Sequence, residues 1–130
     1  MTLNEMILLI ADLCARLPYA TMVRVENDSA HTEPLELLGV DISKGIVKLG
    51  ETIDGTCFVH RERIGKVKPY LRLMSSMTEE ERKIWHEKEY DGYIGDDVDY
   101  LNSIHIDYRD MIADGLALPA TDDMYNTKND

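Results

Sequence analysis

Cysteine is scarce, and the residue pairings that metal and redox chemistry need are missing. The 130 residues hold only Cys14 and Cys57, with no CxxC, and His31, His60, His86 and His105 form no HxxxH. A structural zinc site or a disulfide scaffold therefore has no foundation. Cys14 falls in an apolar helical pattern and Cys57 in an apolar strand pattern, so both are expected as buried, reduced thiols. No Gly-rich phosphate loop, nucleophile elbow or paired-carboxylate signature is present, and no cofactor is expected. His60 follows Cys57 at an odd spacing in a strand pattern, which sends the two side chains to opposite faces and excludes a local nucleophile–base pair. An enzyme is not expected. The N-terminus lacks a basic run, and Glu5 and Asp12 interrupt its apolar residues, so neither a signal peptide nor a membrane span is expected. With no internal repeat and no low-complexity tract, the sequence reads as a soluble, cytoplasmic protein.

What is abundant is acid. Asp and Glu number 25 against 14 Lys and Arg, a formal net charge of −11. Such a field keeps a protein in solution and opposes contact with phosphate. The charge is unevenly placed. Arg61, Arg63, Lys66, Lys68 and Arg72 crowd one segment against Glu62, whereas ten aspartates follow Tyr90 against Arg109 and Lys128. The simplest expectation is that the basic segment and the acidic C-terminal third neutralise one another.

The stretch Tyr19–Leu71 carries period-two patterning broken by turns. Val23 and Val25 alternate with Arg24 and Glu26, and Asn27-Asp28-Ser29 has turn chemistry. Leu35 to Ile42 changes phase around Gly39, which predicts a bulge. Ser43-Lys44-Gly45 turns the chain into Ile46–Leu49, and Asp54-Gly55 is a hairpin signal ahead of Thr56–His60. A last strand is expected near Gly65-Lys66-Val67. Closure hides strand edges, so these runs predict a small antiparallel sheet curled into a half-open SH3-like barrel with Val23, Val40 and Phe58 in one interior. Around it the sequence places helices. Thr2 and Glu5 form a capping box, and Leu3, Met6, Ile7, Ile10, Leu13, Cys14 and Leu17 form an apolar stripe that Pro18 ends. After Lys68–Met74, an extended or turn segment, Ser76–Glu79 is a second capping box for a helix to about Tyr90 whose thin apolar face is anchored by Trp85. A third helix is expected from Asp97 through Ile112, with Gly115 at its C-terminal cap. The fold class is α+β, with residues 1–120 as one domain and 121–130 as a polar, frayed tail.

Two clusters are candidate sites. The basic run Arg61–Arg72, interleaved with Tyr70 and near Phe58, is expected to contact a protein partner, as is the Tyr108-Arg109 face. The basic run can also bind single-stranded nucleic acid by stacking and phosphate contact. On the third helix Asn102, His105 and Arg109 share a face beside Tyr108, where Arg109 could supply a fork and His105 a donor to an anion. The same set serves equally as a structural network with Asp107 or Asp110. The loop Asp96-Asp97-Val98-Asp99 lacks the ligand order of an EF-hand, so helix capping is the expected role and no metal site is assigned.

Leu13–Tyr19, Lys68–Arg72 and Ser75–Glu81, with Asp99–Asn102, Asp107-Tyr108-Arg109 and Gly115–Leu118, resemble a family of uncharacterised small proteins from gut anaerobes and their phages or prophages. The resemblance covers both ends and the central hinge and is weak across the strands. It implies a bacterial or phage cytoplasmic setting and carries over no activity, cofactor or catalytic residue. The leading expectation is a non-enzymatic interaction module with a protein partner, in an accessory or host-modulating role. The alternative is single-stranded nucleic-acid binding through residues 61–72. Contact with a membrane is not expected.

Overall fold

Thr2 starts the first helix as its spacing predicts. Its hydroxyl accepts from the Glu5 N–H at 3.1 Å, and the Glu5 carboxylate accepts from the Thr2 N–H at 2.8 Å, two orphan donors satisfied at once. The computed structural model describes residues 1–27 and 33–125. The expected turn at Asp28 and Ser29, His31, and residues 126–130 of the expected tail lie outside the described residues. The architecture is α+β: an N-terminal helix, a six-stranded, mostly antiparallel sheet that is not closed, and two later helices. The chain divides into two compact units, Met1–Tyr70 and Leu71–Asp130.

In the first unit α1 (Leu3–Arg16) precedes β1 (Met22–Val25), β2 (Leu35–Asp41), β3 (Ile46–Ile53), β4 (Thr56–Arg63) and β5 (Val67–Leu71, whose last residue opens the second unit). The strand order is β4-β3-β2-β1-β5. The register of β2 on β3 shifts between Leu37 and Gly39, the bulge that the phase change foretold. Leu38, displaced by that bulge, lies over Gly50, where an added Cβ would sit 2.8 Å from Leu38 Cδ1. Asp54 and Gly55 both adopt left-handed φ, 50° and 79°, the pair of conformations a two-residue hairpin turn needs to match strand twist. Val23, Leu35, Leu37, Val47, Leu49 and Val67 form the buried face.

Three expectations for this unit change. The buried face of α1 is Leu9, Asp12, Leu13 and Arg16, so the helix is rotated relative to its most apolar stripe, and Leu3, Ile7 and Cys14 face solvent. The rotation is set by Asp12 and Arg16, which pair at 3.0 Å inside the unit. Phe58 does not share the interior of Val23; it is 48% exposed, and Val40 is only half-buried. β4 ends the strand order and no residue of it is fully buried, so Cys57, like Cys14, is an exposed free thiol. Lys68–Leu71, read as an extended segment, is a true strand beside β1, with Val23 opposite Pro69 and Val25 opposite Val67.

In the second unit α2 (Glu79–Asp91) is capped by Thr78 and Glu81, two residues later than the box expected from Ser76. Its Trp85 packs on the cluster of Met77, Leu101 and Ile106. α3 (Asp96–Ser103) is far shorter than expected. It stops because His105 takes a left-handed φ of 64°. The Ile106 N–H donates to Leu101 O at 2.9 Å and the His105 N–H to Asn102 O at 3.1 Å, the double bond pattern of a helix-ending motif in which glycine is the usual left-handed residue. The Ala120 N–H donates to Leu71 O at 2.8 Å, and beyond it the Tyr125 ring stacks on His105 at 3.7 Å.

Candidate functional site

A groove of about 520 Å³ opens in the first unit. Its floor is apolar: Met6 and Ile10 from α1, Ile46 at the start of β3, and Ile64 after β4. Local sequence explains the shape. Gly45, with a left-handed φ of 66°, turns β2 into β3, and its carbonyl accepts from the Ile64 N–H at 2.9 Å, tying two walls together. Gly65 lets Met6 lie against the turn, because an added Cβ would meet Met6 Cε at 3.3 Å.

The rim is cationic. Lys44, Arg63 and Lys66 line the groove, and an adjoining hollow of about 260 Å³ shares Ile46, Arg63 and Lys66 and adds Arg61 and Glu62. In the β3–β4 register Arg61 sits opposite Lys48 and Arg63 opposite Ile46, so strand alternation puts Lys48, Arg61 and Arg63 on one face. Like charges directly opposite in an antiparallel pair are destabilising. None of Lys44, Lys48, Arg61, Arg63 or Lys66 forms an ion pair among the described residues, and Glu62 is the one acid on either lining. A positive surface of this kind in a chain of net charge −11 focuses potential on whatever occupies the groove.

The structure therefore splits the basic segment. Arg63 and Lys66 face the groove and Arg61 the adjoining hollow. Lys68 Nζ pairs Glu26 at 3.2 Å within the first unit, and Tyr70 is half-buried. Arg72 is taken up in the second unit, where it donates to Glu81 Oε2 at 2.9 Å and Oε1 at 2.8 Å and to the carbonyls of Ile104 and Ser76. Neither the partner of Lys68 nor that of Arg72 comes from the aspartate-rich stretch after Tyr90, so the expected neutralisation by that stretch is not what pairs them. Burial opposes charge on Glu81, but the hydrogen bonds from Arg72 and Thr78 and the guanidinium charge outweigh it and hold the carboxyl below its ordinary value of 4.5. Burial and the Glu81 charge push the nearby Tyr100 hydroxyl up.

Asn102, Tyr108 and Arg109 do come together, though not along a helix face, since α3 ends at Ser103, while the His105 ring stacks on Tyr125. The Tyr108 hydroxyl donates to Asn102 Oδ1 at 2.9 Å, and Arg109 lies 5.0 Å over the Tyr108 ring. Asn102 and His105 are buried. Asp107 is also buried, and its two oxygens accept from the Met111 and Ile112 N–H groups at 2.9 Å each. These contacts brace the turns after α3. Asp96, from the acidic loop, accepts from the Tyr93 N–H at 2.8 Å, which closes the turn ahead of α3; the helix itself starts at Gly95 without a side-chain cap, so the capping expected of Asp97 and its acidic neighbours is not formed. Among the described residues no group of three or more His, Cys, Asp and Glu is placed to hold a metal ion, and no helix is long and apolar enough to cross a membrane.

No protein family, curated protein or solved structure matches the chain. The groove must be judged on its own chemistry. Sequence reasoning found its rim through Arg61, Arg63 and Lys66 but missed its floor. The signal was available in α1, where Met6 and Ile10 belong to an apolar arc wider than one packed face needs.

Proposed function

We propose that the chain is a non-enzymatic interaction module whose first-unit groove receives a protein segment bearing acidic side chains beside apolar ones. The observation that carries this is the set of Lys44, Arg63 and Lys66, without ion pairs among the described residues, around a floor of Met6, Ile10, Ile46 and Ile64, with Arg61 on the adjoining hollow. Leu3 and Ile7 extend the apolar surface of α1 into solvent. Apolar anchors supply affinity in such an interface, and the cations supply orientation and association rate. An accessory or host-modulating role in a bacterial or phage cytoplasm belongs to the same proposal.

The cations also favour a second reading, single-stranded nucleic acid. Two features weigh against it. No aromatic ring lines either hollow, and strand alternation puts Phe58 on the face of β4 opposite Arg61, so the stacking platform such binding uses is missing. The net charge of −11 repels a polyanion as well.

Fluorescence anisotropy separates the two with a labelled peptide of Glu and Leu and a labelled oligothymidylate. The peptide binds, more weakly as salt rises, and Arg63→Glu with Lys66→Glu weakens it at least about tenfold. Peptide binding that ignores those substitutions overturns the groove assignment. Tighter, salt-sensitive binding of oligothymidylate transfers the surface to nucleic acid.

A further inference from the structure

The connection between α2 and α3 presents an unusual surface. Tyr90 and Tyr93 are 88% exposed and Ile94 is 106% exposed. Apolar side chains scattered singly on a surface need no explanation, but three of this size within five positions form a patch. Hydrogen bonds fix the turn that carries Tyr93 and Ile94. The Tyr93 N–H donates to Asp96 Oδ2 at 2.8 Å, and the Asp96 N–H returns to Tyr93 O at 3.0 Å. Gly95 closes the turn at a left-handed φ of 93°. Gly92 donates to Lys88 O at 3.1 Å, and an added Cβ there would stand 2.5 Å from that carbonyl, so the backbone fits tightly against the end of α2. Docking such a preorganised tip costs little ordering entropy.

The surroundings of the tip are anionic. Asp91 and Asp99 are exposed and Asp97 half-exposed beside Tyr93 and Ile94. An apolar tip flanked along the chain by exposed carboxylates is complementary to a surface with an apolar hollow lined by cations. The groove of the first unit has that chemistry: four apolar side chains on the floor, Lys44, Arg63 and Lys66 on the rim, and a volume of about 520 Å³ that accepts a group of small-molecule size.

We infer that the partner filling the groove is a second copy of this chain, which inserts Tyr93 and Ile94 while its aspartates face Lys44, Arg63 and Lys66. The inference rests on the groove reading above and names its occupant. Because knob and groove are different surfaces, the contact is heterologous: each copy offers one of each, and association proceeds head to tail into a ring or an open chain. Salt weakens it, since the charges lie at the rim of the contact.

Two variants and their mixture test this by sedimentation velocity at low salt. The wild-type mass rises with concentration. Ile94→Asp, at a fully exposed position, and Arg63→Glu with Lys66→Glu, at exposed rim positions, each weaken self-association at least about tenfold. Mixing them restores one heterodimer that grows no further, because the mixture contains intact knobs on one variant and intact grooves on the other. Wild type that stays monomeric, variants that associate like wild type, or a mixture that stays monomeric each overturn the inference. The Glu and Leu peptide keeps the two readings distinguishable: Ile94→Asp binds it like wild type. A wild type that binds peptide and stays monomeric leaves the groove assigned and removes the second copy as its occupant.

Discussion

Arg72 and Glu81 form a two-pronged ion pair at 2.8 and 2.9 Å, largely screened from solvent. The pair joins the segment that opens the second unit to the first turn of α2, and the Arg72 guanidinium also donates to the carbonyls of Ile104 and Ser76. Removing one member of such a pair strands a charge away from water, at about 3 kcal/mol.

That pair gives the second unit an acid-labile component. Because the folded-state pKa of Glu81 lies below its ordinary 4.5, the contribution is complete at neutral pH and fades as pH falls from 4.5 through the lowered value. Glu81→Gln is expected to be less stable than wild type at pH 7 and to lose less stability on acidification. Urea titrations at pH 7 and below pH 4 measure both effects. Parallel pH profiles for the two proteins would show that Glu81 is not the titrating group.

His105 stands where a helix ending usually has glycine, with φ at 64° and its ring against Tyr125. A side chain in that conformation costs about 1 kcal/mol that glycine does not. His105→Ala loses the ring contact and keeps the strained backbone, whereas His105→Gly loses the contact and relieves the strain. The Gly variant should therefore be more stable than the Ala variant by about 1 kcal/mol, read as a higher midpoint in thermal unfolding. The reverse order would mean that the left-handed turn is not under strain.

Cys14 and Cys57 both face solvent. A maleimide added to the native protein should label both within the time it labels the urea-unfolded chain to within about tenfold, as counted by intact-mass spectrometry. Protection of either thiol would place it back inside the fold.

These cysteines show where the sequence was legible and where it was not. Features set by neighbours in the chain could be read directly: the capping box at Thr2, the bulge before Gly39, the Asp54-Gly55 turn. Features set by distant partners could not. The hydrophobic pattern of α1 pointed Leu3, Ile7 and Cys14 inward, but the buried Asp12–Arg16 pair fixes the rotation, and no local rule signals that two opposite charges will be enclosed together. The third helix was extended past Ser103 because His105 carries no sequence mark of a left-handed turn; the hydrogen bonds from His105 and Ile106 back to Asn102 and Leu101 decide it. The candidate site was legible to the same extent. Alternation along β4 exposed its arginines, while the floor joins α1 to a strand far along the chain.

The outermost strand, β4, leaves one row of backbone groups open beside exposed Cys57, Phe58 and Val59. Such a rim invites templated stacking of chain upon chain into fibrils. Arg61, Glu62 and Arg63 end the strand with a block of charge that interrupts this growth. The arginines that border the groove thus also oppose fibril growth from this edge.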